Sequence, residues 1–112
     1  MEAKAILKHS RGSARKARLV LDNIRGKNVE DAKHILRFTT KRAAGSIGKL
    51  LNSAFANATF KNPKITEKEM IVDKAFADEG PIMKRYMPRA QGRAYLIRRR
   101  TCHITLELKE KE

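Results

Sequence analysis

MIVDKAFADEGPIMKRYMPRAQGRAYLIRRRTCHITLEL, residues 70–108, carries the reading that decides the fold. At its far end Cys102, Ile104, Leu106 and Leu108 alternate with Thr101, His103, Thr105 and Glu107, the period-two pattern of a strand with one face on a core. At its near end Met70 to Glu79 reads as a partner strand, with Met70, Val72 and Phe76 on one face and Ile71, Ala75 and Ala77 on the other. Met87-Pro88 and Gly92 supply turn chemistry between them, so the economical geometry is a long hairpin with its tip near Arg89 to Gly92. About ten residues per arm at ~3.3 Å each reach about 30 Å, well beyond a body whose radius of gyration should be about 13 Å. The hairpin should protrude.

Working outward, Ala3 to His9 alternates loosely and suits a short edge strand, with Ala3, Ala5 and Leu7 on one side. Ser13 is a good N-cap for a first helix in which Ala14, Ala17, Val20, Leu21 and Ile24 recur at helical spacing, and Gly26 supplies its stop. Asn28 caps a second helix carrying Val29, Ala32, Ile35 and Leu36, with Glu30 and Asp31 in its positive first turn and an end near Phe38. A third helix follows Thr39 or Thr40, and its stripe Ala43, Ala44, Ile47, Leu50, Leu51, Ala54, Phe55 and Ala58 is the longest periodic signal in the chain. Gly45 and Gly48 each cost about 1 kcal/mol relative to Ala there, which predicts close approach of another backbone. Asn62-Pro63 ends the segment. The expected fold is α+β: three helices packed on a small three-stranded antiparallel sheet, with a long protruding β-hairpin at about 80–100.

The chain has 112 residues, with 26 Lys plus Arg against 12 Asp plus Glu and a net charge of +14. That length makes one domain, residues 1–112, with one modest core. So large a charge on so small a domain costs self-repulsion unless a polyanion neutralises it, and nucleic acid is the first expectation. The one cysteine, Cys102, has no disulfide partner, and His9, His34 and His103 are too scattered for a zinc site. The longest apolar run, Ala94 to Ile97, is far short of the ~20 residues that span a bilayer. A cytoplasmic chain with no cofactor, metal or membrane partner and no homo-oligomer is expected.

Between Glu79 and Glu107 there is no acidic residue, while Lys84, Arg85, Arg89, Arg93, Arg98, Arg99 and Arg100 contribute half the net charge. An isolated two-stranded hairpin is marginal in water, so a partner outside the domain is expected to order this one. Arginine suits a phosphate-bearing partner, because its planar fork grips phosphate oxygens and stacks on bases. A second cluster, Lys4, Lys8, Arg11, Arg15, Lys16 and Arg18, precedes Asp22, and Arg11, Arg15 and Arg18 are expected on an outer stripe of the first helix. With Tyr86 and Tyr95 alone near the basic hairpin, no aromatic platform for single strands is present, and backbone and shape recognition of structured RNA fits better. No Gly-rich phosphate loop, metal set or nucleophile–base pair marks an enzyme. Asp78-Glu79 reads as a strand-end turn, His103 as a hydrogen-bonded surface residue and Cys102 as a small core residue.

Asp78-Glu79-Gly80-Pro81, Met83-Lys84-Arg85, Met87-Pro88-Arg89-Ala90, Gly92-Arg93-Ala94 and Arg100-Thr101 with His103-Ile104-Thr105 resemble the hairpin signature of the bacterial-type large-subunit ribosomal protein L-twenty-two family. Ser13-Ala14, Lys16, Arg18-Leu19-Val20, Ile24-Arg25-Gly26-Lys27 and Ser53-Ala54 extend the resemblance over nearly the whole chain. It implies a structural, non-enzymatic protein bound to large-subunit rRNA and needed in assembly, with its hairpin along the wall of the nascent-peptide exit tunnel. The implied partners are that rRNA, ribosomal protein L-four near the constriction, and the nascent peptide. It makes Lys84, Arg85, Arg89, Arg93, Arg99 and Arg100 RNA-facing hairpin bases, and the remaining RNA-binding residues expected are Lys8, Arg11, Arg15, Lys16, Arg18, Arg25, Lys27 and Arg98. The implied tunnel segment comprises Met83, Lys84, Arg85, Pro88, Arg89, Ala90, Gln91, Gly92, Arg93 and Ala94. Three departures from the family pattern stand out: Gln91 replaces a frequent basic residue, Tyr95-Leu96 a more polar pair, and Gly45 and Gly48 larger helix formers.

Overall fold

The computed structural model describes residues 2–88 and 94–111. Two of the three helices begin where their capping residues dictate. Ser13, in extended conformation, accepts a hydrogen bond from the Lys16 amide at 3.3 Å and opens α1, Ala14–Ile24. Gly26, at φ +82, turns the chain out of that helix, and its N–H donates to the Val72 carbonyl at 2.9 Å. The Asn28 side chain accepts from the Asp31 amide at 2.7 Å and opens α2, Val29–Phe38.

The third helix, α3, spans Ala43–Lys61 and starts later than its sequence suggests. Thr39 is the C-cap of α2, and its hydroxyl donates to the Ile35 carbonyl at 2.6 Å, so it is spent on ending one helix rather than starting the next. Arg42 occupies the α3 N-cap position without a side-chain hydrogen bond to the helix. Along α3, Ala44, Ile47, Leu50, Leu51, Ala54 and Ala58 are buried, with Ala43 and Phe55 packed at the margin of the core. The expected close backbone approach at Gly45 and Gly48 is absent: a Cβ built on either meets nothing within 4 Å. Gly45 lies on the outward side of the buried stripe, and Gly48 is half-buried at its margin.

The strands are β1 (Glu2–Arg11), β2 (Met70–Glu79), β3 (Met83–Pro88), β4 (Ala94–Arg99) and β5 (Thr101–Glu110). An antiparallel sheet in the order β1-β5-β2 carries the three helices on one face, and β3 pairs only with β4 as a separate hairpin. Helix α3 lies over β1 and β5, α1 over β2, and α2 against α3. The core is a single cluster in which Cys102, Ile104, Leu106 and Leu108 meet Val20, Leu21, Ile24, Ile47 and Leu51. The hairpin stretches the molecule to 63 × 24 × 17 Å with a radius of gyration of 17.0 Å, against about 13 Å for a compact chain of this length.

Two bulges reset the strand faces. Between Val72↔Leu108 and Lys74↔Glu107 the residue Asp73 is inserted without a ladder partner. Ala75 and Ala77 therefore join Met70 and Val72 in the core, and Phe76, expected beside Met70, points the other way and is 41% exposed. In β1, Lys8 and His9 together stand opposite His103 between the Leu7↔Ile104 and Ser10↔Cys102 pairs. His9 takes φ +58, and its amide donates to His103 Nδ1 at 3.0 Å. On the open face, Ile6, Thr105 and Phe76 form one cross-strand row, and in the next Glu107 bridges Lys4 at 3.7 Å and Lys74 at 3.8 Å.

Both outer edges of the sheet are covered by side chains rather than left open to another strand. On β1, the Asn57 amide donates to the Lys4 carbonyl at 2.9 Å and Lys61 Nζ to the Glu2 carbonyl at 2.7 Å. On β2, the Arg18 guanidinium donates to the Ala77 carbonyl through Nε at 3.0 Å and Nη2 at 2.8 Å. Arg25 reaches the Ala75 carbonyl in the same bidentate manner and pairs with Asp22 at 2.5 Å.

Candidate nucleic-acid interface

Where β1 ends, α1 and α3 begin, and β4 runs into β5, the chain leaves an open groove of about 920 Å³. Lys8 and Arg11 reach it from β1, Lys16 from α1, Arg42 from the start of α3, and Arg98, Arg99 and Arg100 from β4 and the junction with β5. None of its lining residues is Asp or Glu. Among the described residues, none of these seven cationic side chains has an intramolecular hydrogen bond or ion pair. The field at the groove is therefore of one sign and is not neutralised within the protein. The start of α3, represented in the lining by Arg42, Ala43 and Ser46, adds the positive end of a helix dipole with no side-chain cap.

The groove floor is built from core residues. Ala17, Cys102 and Ile104 line it and are buried in the sheet–helix core. Burial pushes the Cys102 thiol above its ordinary value of 9.0, a rise that the charge of Arg18 partly offsets. It is a protonated packing group at neutral pH, in a place where a thiolate nucleophile would need the opposite shift.

A smaller cleft of about 230 Å³ adjoins the groove, lined by Ser13, Ala14, Arg15, Glu79, Gly80, Ile82, Arg100 and Thr101. Arg100 belongs to both, and Glu79 gives the cleft the acid that the groove lacks. Arg15 thus faces a different environment from Arg11 and Lys16.

The basic residues singled out in the sequence divide three ways. Lys8, Arg11, Lys16, Arg98, Arg99 and Arg100 come together in the groove, although they lie some 90 residues apart in sequence. Arg18 and Arg25 do not join them: both guanidinium groups hold carbonyls on the outer edge of β2, so the expected outer stripe of Arg11, Arg15 and Arg18 is broken at its last member. Lys27 sits in the α1–α2 turn, where its carbonyl accepts from the Val72 amide at 2.9 Å, on the β2 side of the sheet and away from the groove lining. Lys84 is exposed on β3, opposite Arg98 in the hairpin ladder. Arg89, Ala90, Gln91, Gly92 and Arg93 lie outside the described residues, as do the side chains of Met83, Arg85, Pro88 and Ala94. Arg42 is the groove residue that sequence reasoning missed; its signal was Lys41-Arg42 directly ahead of the longest apolar stripe, with no acid nearby.

A groove of this kind binds polyanion backbones, because phosphates meet forked donors and no carboxylate competes with them. The family model described as Ribosomal protein L22p/L17e matches residues 5–109. The protein called Large ribosomal subunit protein uL22 from Thermoanaerobacter sp. (strain X514) is 56% identical over 112 residues, covering all of both chains. Its namesake from Leptospira biflexa (strain Patoc 1 / Ames) is 54% identical over 112 residues, covering all of this chain and 97% of the relative. The one from Thermus thermophilus is 53% identical over 111 residues, covering 99% of this chain and 97% of the relative. With the family model spanning nearly its whole length and relatives above half identity end to end, the chain belongs to the Ribosomal protein L22p/L17e family.

Proposed function

We propose that this chain is a structural, non-enzymatic constituent of the large ribosomal subunit in the cytoplasm. In this reading it binds large-subunit rRNA through its acid-free groove and its hairpin, and supports assembly of the subunit. The observation that carries it is the convergence of Lys8, Arg11, Lys16, Arg42, Arg98, Arg99 and Arg100 on one groove with no acid among the lining residues. Phosphate contacts of this type fix position and register without reading sequence, which is what a protein embedded in folded RNA requires. In this reading Lys84, Arg85, Arg89 and Arg93 are the hairpin's own RNA-binding bases, and Arg15 flanks the groove from the adjoining cleft.

The hairpin is further proposed to run along the nascent-peptide exit tunnel, with the segment from Met83 to Ala94 at the constriction beside ribosomal protein L-four and the nascent peptide. Its reach supports this: the molecule is 63 Å long and only 24 Å across. RNA along both arms would supply the order that a two-stranded ladder lacks by itself.

Sedimentation tests the first reading. Stoichiometric co-migration with the large subunit through a moderate-salt gradient is expected; release at that salt, with retention on short duplex DNA, would overturn it. For the tunnel, a photoreactive residue placed at Gln91 should cross-link to nascent chains on stalled ribosomes, and cross-links confined to RNA outside the tunnel would contradict that part alone.

A further inference from the structure

The join between the body and the hairpin is asymmetric. Glu79 faces Cys102 and Met83 faces Arg99, so Gly80, Pro81 and Ile82 span on one side what Arg100 and Thr101 span on the other. An extra residue at such a place leaves a carbonyl out of the ladder, because proline offers no N–H with which to re-register it. Here the carbonyl is that of Pro81, and the Thr101 hydroxyl donates to it at 2.7 Å. The Gly80 amide in turn donates to the Thr101 carbonyl at 2.9 Å. Gly80 lies so close that a Cβ on it would stand 2.6 Å from Thr101 Oγ1 and 3.3 Å from the Thr101 carbonyl carbon. From the third side the Gly12 amide, in a backbone at φ +122 that favours glycine, donates to the Arg100 carbonyl at 3.0 Å. Thr101 is only 5% exposed, although its neighbours Arg98, Arg99 and Arg100 are all exposed.

We infer that Thr101 is a positioning residue: its hydroxyl, clamped between Pro81 and the close-packed Gly80, fixes the direction in which the root of the hairpin leaves the body. The clamp ties the end of β1, the β2–β3 link and the β4–β5 junction at one point. It therefore also sets Arg98, Arg99 and Arg100 against the groove from which β1 presents Arg11. This property belongs to the free chain and does not depend on what the hairpin meets.

The experiment is a set of amide residual dipolar couplings on the full-length, uniformly labelled chain in weak alignment. For the wild type, the couplings of Ile82, Lys84, Arg98 and Arg100 should fit the alignment tensor of β2 and β5. Thr101→Val keeps the branched shape and removes the hydroxyl. Those four couplings should then fall to about half of their wild-type amplitude or below, while the body keeps its tensor and thermal transition. Thr101→Ser, which restores the donor, should restore the amplitude. If the valine variant does not fold, Gly80→Ala supplies the same test by driving the Thr101 side chain from its place. Root couplings already averaged in the wild type, or unchanged in both variants, would overturn the inference.

Discussion

Arginine carries two unrelated tasks in this chain, and the neighbours of each guanidinium decide which. Arg18 and Arg25 grip carbonyls of Ala77 and Ala75 that no strand pairs, so they hold α1 to the sheet and blunt its edge. Hydrogen bonds from charged donors are worth about 1.5–3 kcal/mol, and the partial exposure of these two lowers the expectation to about 1 kcal/mol each. Arg18→Ala and Arg25→Ala should therefore lower the thermal midpoint in calorimetry while leaving the salt slope of RNA binding nearly unchanged. Arg99→Ala should do the reverse, with wild-type melting and weaker RNA binding. Equal melting of all three variants would refute the division. In sequence these residues look alike, since each is an Arg in or next to a helix or strand; only the tertiary pairing with an edge carbonyl separates them. For Arg42 the sequence offers only the pair Lys41-Arg42 ahead of an apolar stripe, and its place in the groove comes from where α3 begins against β1 and β5.

At the scale of elements, what depends on local chemistry was legible and what depends on register was not. Ser13 and Asn28 cap their helices through side-chain oxygens available in any context, and β2 spans the residues that its alternation marks, Met70 to Glu79. Its face assignment failed at Phe76, because a single unpaired residue, Asp73, reverses every side chain after it and leaves no mark in composition. Gly45 and Gly48 mislead in the opposite direction. A glycine inside a helix suggests crowding, yet both have open space around them, so in the free protein they contribute only backbone entropy to lose. The double variant Gly45→Ala with Gly48→Ala should stabilise the free chain, each by about 0.5–1 kcal/mol, a rise of about 4–8 °C in the thermal midpoint for the pair. A lower midpoint would mean that this face of α3 is packed against something within the protein.

For the whole molecule, +14 is a distribution rather than a total. On the body Glu107 is shared by Lys4 and Lys74, and Asp22, Glu67, Asp73 and Glu30 pair with Arg25, Lys33, Lys109 and Lys68. Seven of the cations without an ion pair among the described residues, Lys8, Arg11, Lys16, Arg42, Arg98, Arg99 and Arg100, gather where β1 ends and α1 and α3 begin, at the root of the hairpin. The elongated shape follows from the same division: a body with one core, and a ladder whose arms pair only with each other. In the proposed function the chain gains affinity by displacing counterions from folded RNA, and its binding should weaken steeply with salt. The central claim is that the groove delivers this binding, and the most direct measurement is the log–log salt dependence of affinity for large-subunit rRNA. The comparison is between the wild type and a triple variant, Arg11→Ala, Arg42→Ala and Arg99→Ala, with one change on each of three walls. The groove account predicts an unchanged thermal transition and a slope shallower by about 2 to 3, at roughly 0.7–0.9 for each phosphate that the variant leaves unneutralised. Parallel slopes for the two proteins would contradict it.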